Sequence, residues 1–429
     1  MSNEIIAIHR FGSELTKHIF GWDLGRRCNY DCSYCPAHRH NNYSPHAMLD
    51  DLFDTYKKVS RYKDVLKNRS LIDDFVIGFT GGEPAANPIF WDFCNKAKEY
   101  DNDIQLGLTS NGTIPRRVYE KIGDYIDTMT VSYHCEADDK IKQNVQDAIF
   151  YIHSNTDTYI NVNVMFHSDE EYFNECLELC RRLDKGNVSF VPRIIGEIES
   201  SGLDGKPIDK EFHSYSASQL ERLDEYYVEM RKGKAPSKAS VKVNPPKVDD
   251  KPIVAMAANK TRNEIGRPCC GKVFFNTLTE ENFDNVVSVT PAFRSALEWN
   301  ETQFLRTSKF KDWYCLVHLY LPHLQHETRM IYAHQTCQAT TNRHRQGPLC
   351  TIETFDEYID KIDAGNIPIM QCPNMQCNCG LCTPKSKYLP IVEEMVKEIF
   401  PMKKSMEGQQ TRQRRQETKK IMRELRQDV

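Results

Sequence analysis

The chain has 429 residues, 40% of them hydrophobic and 27% charged, and a formal net charge of −4. That length suits two or three globular domains, and the near balance of charge does not by itself call for a nucleic-acid partner. No run approaches the roughly 18 apolar residues of a membrane helix, and the opening MSNEIIAIHRF carries two charges and no long apolar stretch, so the expectation is a cytoplasmic protein with no membrane partner.

The first candidate strand, around residues 20–24, runs into Cys28, Cys32 and Cys35 in CNYDCSYC, with Tyr34 just before the last cysteine. Three thiolates on a short loop can hold three irons of a four-iron four-sulfur (4Fe-4S) cluster and leave the fourth iron open to a ligand. A structural zinc loop, completed by His38 or His40, is the alternative. Residues 49–66 form an amphipathic run and predict a helix. The second strand, 75–80, goes straight into Gly81, Gly82, Glu83 and Pro84. Paired glycines let a backbone approach a ligand closely; a plain turn has the same composition.

A helix over 88–100 leads to a third strand, 105–109, that ends at Ser110, Asn111 and Gly112. The fourth strand, 128–133, carries Ser132 near its end, with His134 and Cys135 behind it. Helices over 138–153 and 169–183 flank a fifth strand, 161–166, with Asn163 in it and His167 beside it. A sixth strand, 188–194, contains Arg193. Strand and helix alternating six times argue for an α/β fold with parallel strands and helical crossovers, a partial (β/α)6 barrel. An eight-unit barrel would need two more repeats, and the chain instead enters RKGKAPSKASVKVNPPKVDDKP. The expected division is a barrel over 1–230, a basic Pro- and Lys-rich linker over 231–266, a smaller cysteine-rich metal-binding domain over 267–386, and a C-terminal helix and basic tail over 387–429.

Nine of the sixteen cysteines follow residue 268, and CPNMQCNCGLC offers four thiols in eleven residues. In a chain without an export signal that density favours metal ligation over disulfides. Pro373 and Gly380 supply tight loop geometry. The candidate ligands are Cys350, Cys372, Cys377, Cys379 and Cys382, for a cluster or for zinc. His318, His323, His326 and His334 read as core or surface residues. Residues 231–251 hold seven Lys or Arg against two Asp, and 403–426 hold nine against three Glu. Such runs are solvated faces, or surfaces that track phosphates.

CNYDCSYC followed one strand later by GGEP resembles the signature of the radical S-adenosylmethionine (radical SAM) superfamily. The resemblance implies a 4Fe-4S cluster on Cys28, Cys32 and Cys35, with the amine and carboxylate of S-adenosylmethionine at the open iron. It implies that the backbone carbonyls of Gly81, Gly82, Glu83 and Pro84 bind the methionyl amine and that Tyr34 packs by the adenine. Ser110, Asn111 and Ser132 are expected on the ribose and carboxylate, or else as ordinary helix caps. Arg193 would pair with the methionyl carboxylate, and His134 and Cys135 are the candidates for handling the proton after hydrogen abstraction. A reductant such as flavodoxin or ferredoxin is the implied partner.

The second half is similar to the auxiliary-cluster extensions called SPASM or twitch domains, which predicts a second 4Fe-4S cluster. It departs from them in its final x4, x1 and x2 spacing and in the missing glycine between Cys315 and Cys337. Two substrates fit the resemblance. One is a peptide modified at an amino-acid carbon. The other is DNA, as for phage-encoded radical SAM isomerases that rearrange an amino-acid-decorated thymidine, which would place the protein in a host cytoplasm. The DNA reading is preferred because no leader-peptide-binding domain is seen before the barrel. A zinc-stapled binding protein without redox chemistry is a third reading, and it leaves the ordered pair CxxxCxYC and GGEP unexplained.

Overall fold

Alternation of apolar with polar or small residues turns each of the six predicted runs into a strand. The computed structural model describes residues 7–9, 17–35, 40–69, 72, 74–195, 215–232, 254–257, 273–276, 311–319, 321–334, 347–372, 385–390, 392–393 and 396. After β1 (Ala7–His9) come β2 (Lys17–Asp23), α1 (Leu49–Asn68), β3 (Asp74–Thr80), α2 (Phe90–Tyr100), β4 (Ile104–Ser110), α3 (Arg116–Tyr119), β5 (Thr128–His134), α4 (Asp139–Asn155), β6 (Tyr159–Phe166), α5 (Glu170–Lys185), β7 (Ser189–Ile194) and α6 (Ala217–Lys232). Strands β2 to β7 pair in chain order and all are parallel.

One face of these strands is covered by helices. Phe20 and Trp22 of β2, Phe75 and Phe79 of β3, and Met129, Val131 and Tyr133 of β5 are buried in a single core with Tyr56 and Tyr62 of α1 and Phe93 of α2. Trp22 packs edge-on against Phe93 with ring centroids 5.8 Å apart. Each such side chain contributes about 1.5–3 kcal/mol by leaving water. The helices carry their own stop and start signals. For α5, Asp169 accepts from the backbone of Glu171 and Tyr172, Glu170 and Glu171 lie in the first turn, and Arg182 and Lys185 lie in the last, a charge order that suits the helix dipole.

The opposite face is small and polar. Gly21, Gly78 and Gly107 stand in register on neighbouring strands, and a Cβ at Gly78 would meet only Ile19, at 3.9 Å. Thr109, Thr130, Asn161 and Ser189 follow one another in register across β4 to β7. They are half-buried or, for Thr109, exposed. Ser189 donates to Asn161 Oδ1 at 2.9 Å.

The second half contributes β8 (Val254–Ala257), β9 (Val273–Asn276), β10 (Tyr314–Cys315), β11 (His323–Gln325), β12 (Met330–Tyr332), β13 (Cys350–Thr351), α7 (Phe355–Asp363), β14 (Met370–Gln371) and β15 (Lys385–Ser386). Strand β11 pairs parallel with β2, and β12 and β13 follow antiparallel. The large sheet thus has nine strands in the order β13-β12-β11-β2-β3-β4-β5-β6-β7. Strands β11 to β13 of the cysteine-rich region thus continue the barrel sheet. The reason is burial. Leu324, Ile331 and the apolar face of α7 (Phe355, Tyr358, Ile359, Ile362) lie in the main core, and α7 meets α1 through Arg61–Asp356 (2.8 Å), Lys58–Asp356 (3.1 Å) and Arg69–Asp363 (3.0 Å).

A second sheet, in the order β14-β10-β15-β1-β9-β8, joins β1 to second-half strands. Most of the expected linker and the basic tail lie outside the described residues, as do Cys337, Cys377, Cys379 and Cys382, and the helix expected over 388–400 is described only at 388–390, 392–393 and 396. Among the described residues no helix is long and apolar enough to cross a membrane.

Candidate functional site

At the carboxyl edge of β2, Asp23 Oδ1 accepts from Gly25 N at 2.9 Å and Leu24 N donates to Thr80 O. The backbone from Arg26 to Cys28 then pairs with Asn41: Asn41 N donates to Arg26 O at 2.8 Å and Cys28 N to Asn41 O at 2.7 Å. Asn41 Oδ1 accepts from Tyr43 N and Ser44 N. The loop carrying Cys28, Cys32 and Cys35 is thereby held at both ends, and all three thiols are half-buried. Cys35 N donates to Cys32 O and Tyr30 N to Cys28 Sγ at 3.4 Å. His40 pairs with Asp31 at 3.1 Å.

Burial raises the Cys28 thiol and pushes Cys32 up to about 12, and each of the two is raised further by Cys35. Among the described residues no three His, Cys, Asp or Glu converge on a single metal point. Three half-buried soft thiols on one short loop are suited to ligate iron or zinc. Ligation would displace the thiol protons.

The GGEP segment docks on this loop. Gly82 N donates to Gly25 O at 2.7 Å and Glu83 N to Arg27 O at 2.8 Å. Gly81 has φ +132, and a Cβ on it would lie 2.5 Å from Gly25 O; a Cβ on Gly82 would press on Arg27 O and stand 2.5 Å from Arg26 O. In this structure the paired glycines admit the close approach of the backbone leading into the cysteine loop. Pro84 opens a short 3-10 turn that Glu83 caps through Ala85 N.

The Glu83 side chain is buried and accepts from Ser110 Oγ at 2.9 Å, Asn111 N at 2.6 Å and Ala85 N at 3.0 Å. Ser110 and Asn111, expected on the cofactor, here join the ends of β3 and β4 through Glu83. Asn111 also donates to Asn29 Oδ1 at 2.8 Å, within the cysteine loop. Glu83→Ala is expected to destabilise the fold by about 3 kcal/mol, because it leaves three buried donors without an acceptor. Burial raises the Glu83 carboxyl to about 7. With a folded value above the unfolded one, its contribution is full below the unfolded value and declines as pH rises through about 7. Glu83→Gln, which cannot ionise, should therefore cost less near pH 8 than near pH 5 in urea unfolding.

The end of β5 faces the same loop. His134 Nδ1 lies 3.4 Å from Cys32 Sγ and meets the Tyr34 hydroxyl. Its ring stacks on Tyr34 (centroids 5.7 Å, 22°) and stands edge-on to Tyr30 (5.7 Å, 80°). Burial lowers its pKa to about 4. Glu136 Oε2 accepts from Ser33 N at 3.1 Å. Sequence reasoning missed Asn29, Asn41 and Glu136, for which only their nearness to motif residues was a signal.

Cys135 is a correction. It is buried on the helix side, its thiol donating to Met165 O at 3.7 Å beside Cys176, which donates to the same carbonyl at 3.4 Å; it is turned away from the open face. Ser132 is half-buried next to Asn163. Arg193 is exposed at the end of β7, in register with Met165, and Met165 is in register with His134.

Of the expected auxiliary ligands, Cys350 and Cys372 are described. Cys350 is half-buried against the main core, and burial pushes its thiol up to about 12. Cys372 follows β14 and its N donates to Trp313 O at 2.7 Å. In the β11–β12 turn Arg329 takes φ +59, and its guanidinium pairs with Asp51 at 3.0 Å and with Glu353. His326 pairs with Asp51 at 2.9 Å, and His318 is fully buried.

Residues 22–184 match the family described as the radical SAM superfamily. The chain is 28% identical over 100 residues to the GTP 3',8-cyclase of Aliarcobacter butzleri (strain RM4018) and 32% identical over 113 residues to the S-adenosylmethionine-dependent nucleotide dehydratase of Selenomonas ruminantium. These stretches cover 23% and 25% of this chain and 28% and 36% of the two relatives. Among solved structures it is similar to SuiB of Streptococcus suis, with 14% identity and a TM-score of 0.42, covering 81% of this chain and 65% of that one.

Proposed function

We propose, from the premise that this protein is a radical SAM enzyme whose radical SAM domain spans residues 22–184, that it abstracts a hydrogen atom from an amino-acid-like carbon of a nucleotide-linked substrate. A 4Fe-4S cluster on Cys28, Cys32 and Cys35 would supply the electron that cleaves S-adenosylmethionine to the 5′-deoxyadenosyl radical. The observation that supports the reading is the docking of GGEP on the cysteine loop through Gly82 N to Gly25 O and Glu83 N to Arg27 O, which sets the segment proposed to bind the methionyl amine beside the proposed cluster ligands. Ser132 and Asn163 are suited to hold the ribose, and Arg193 the methionyl carboxylate. The open face of Thr109, Thr130, Asn161 and Ser189 offers neutral hydrogen-bonding groups to the substrate, and a site inside the partial barrel would limit the access of water to the radical.

Both curated relatives are named for chemistry on nucleotides, and this supports a nucleotide over a peptide. The finer reading, isomerisation of an amino-acid-modified thymidine in DNA, rests on the basic segments 231–251 and 403–426. The test is 5′-deoxyadenosine formation and binding with duplex DNA bearing the modified base and, separately, with peptides. DNA affinity is expected to fall by about 10³-fold or more between roughly 50 and 200 mM salt if six or more phosphates are contacted. Salt-insensitive stimulation by a peptide, with none by DNA, would replace this reading with that of a peptide maturase. A flavodoxin or ferredoxin is the proposed electron donor. A second cluster that draws on Cys350, Cys372, Cys377, Cys379 and Cys382 extends the proposal. It predicts about eight irons per chain, whereas about four irons with zinc would mark a structural staple.

A further inference from the structure

The three cysteines of the loop do not have equivalent surroundings. Cys28 Sγ accepts a backbone N–H, from Tyr30 at 3.4 Å. Cys32 Sγ instead lies 3.4 Å from the imidazole Nδ1 of His134, and the Tyr34 hydroxyl bonds the same sulfur. His134 has little freedom to leave: it is stacked between Tyr34 and the edge of Tyr30, and two residues on, Glu136 holds Ser33 N at 3.1 Å. The end of β5 therefore grips the middle of the loop, on both sides of Cys32.

We propose that His134 and Tyr34 are positioning residues that donate hydrogen bonds to the Cys32 thiolate and so set the reduction potential of the cluster. The inference rests on the reading that Cys32 ligates iron. A donor aimed at a ligand sulfur draws charge from the iron–sulfur bond and stabilises the reduced, more negative cluster, which raises its potential. A higher potential makes loading of the electron by the donor protein easier and its delivery to S-adenosylmethionine harder, so this pair of side chains fixes the balance between the two steps. The assignment also replaces the expectation that His134 handles the substrate proton, because Nδ1 is directed at Cys32 and Tyr34.

The test is a potentiometric titration followed by electron paramagnetic resonance on the iron-loaded, full-length protein under anaerobic conditions. His134→Phe keeps the stacking ring and removes the donor; its midpoint should move to a more negative potential at unchanged iron content. His134→Asn, whose amide nitrogen stands where Nδ1 does, should return it toward the wild-type value, and Tyr34→Phe should shift it in the same direction as His134→Phe. An unchanged midpoint in fully loaded His134→Phe overturns the proposal. If that variant binds no iron, wild-type protein with isotopically labelled histidine decides: the reduced cluster must show a nitrogen coupling from the label, and its absence sinks the idea. A Cys32→Ala protein that kept the full cluster signal would instead overturn the ligand assignment beneath it.

Discussion

Alanine at Cys28, Cys32 or Cys35 is expected to remove the iron held by this loop, about four atoms per chain, and with it all measurable 5′-deoxyadenosine formation. The three thiols are half-buried on a loop anchored by Asn41. A cluster that already leaves one iron without a protein ligand is left with two thiolates when one of them is removed. Cys135→Ala is the matched control. That thiol lies on the helix side against Met165 O, so its loss should cost on the order of 1 kcal/mol in stability and leave iron content and cofactor cleavage at wild-type levels. Iron analysis and product quantification on both variants check the pair of outcomes. Full cofactor cleavage in Cys28→Ala would end the proposed mechanism.

The second large effect is expected from one methyl group. Gly82→Ala puts a Cβ against Arg27 O, 2.5 Å from Arg26 O and 2.6 Å from the Arg27 carbonyl carbon. All three are backbone atoms, which cannot rotate aside as a side-chain tip would. Either the GGEP segment lifts off the loop, breaking the Gly82 N to Gly25 O and Glu83 N to Arg27 O bonds, or the loop itself shifts. Overpacking of this kind costs about 3 kcal/mol, and the damage falls directly on the cysteine segment. Thermal unfolding should show the loss in stability, and iron content per folded chain should drop with it. A Gly78→Ala protein, whose new Cβ meets only Ile19 at 3.9 Å, should retain both; equal damage in the two variants would mean that close backbone approach is not what Gly82 provides.

The strands and helices of the first half were legible because their signals are local. The predicted strand over 128–133 is Thr128–His134 and the predicted helix over 169–183 is Glu170–Lys185. A period of two or of 3.6 over seven or more residues needs no knowledge of the rest of the chain. The order of the cysteine loop and GGEP on adjacent strand ends was legible for the same reason. What each motif residue touches was not. Glu83 meets Ser110 and Asn111, and His134 meets Cys32, at sequence separations of 27 or more, and nothing in the spacing distinguishes a strut from a ligand contact. The second half was least legible. Its strands are two to four residues long, too short to show a period, and β11 finds its partner about 300 residues earlier in the chain. The turn before β12 hid for another reason: Arg329 holds a left-handed backbone that glycine would ordinarily fill, and its ion pairs with Asp51 and Glu353 help to hold it there.

The pairing of β1 with β9 and β15 has a consequence for how the molecule is made. Ala7 is matched with Ser386, and Gly21 of β2 with His323, so during synthesis the first two strands wait for partners that emerge hundreds of residues later. Strands β2 to β7 can assemble on their own as they leave the ribosome, since each neighbours the next. Until residues 323–325 arrive, however, β2 stays an open edge, with the cysteine loop at its end. Long-range closure of this kind is slow, and unpaired edges invite wrong partners in the interval. The barrel is thus finished last at the strand that leads into its chemistry, and a nascent chain stalled before residue 323 would present that strand unprotected.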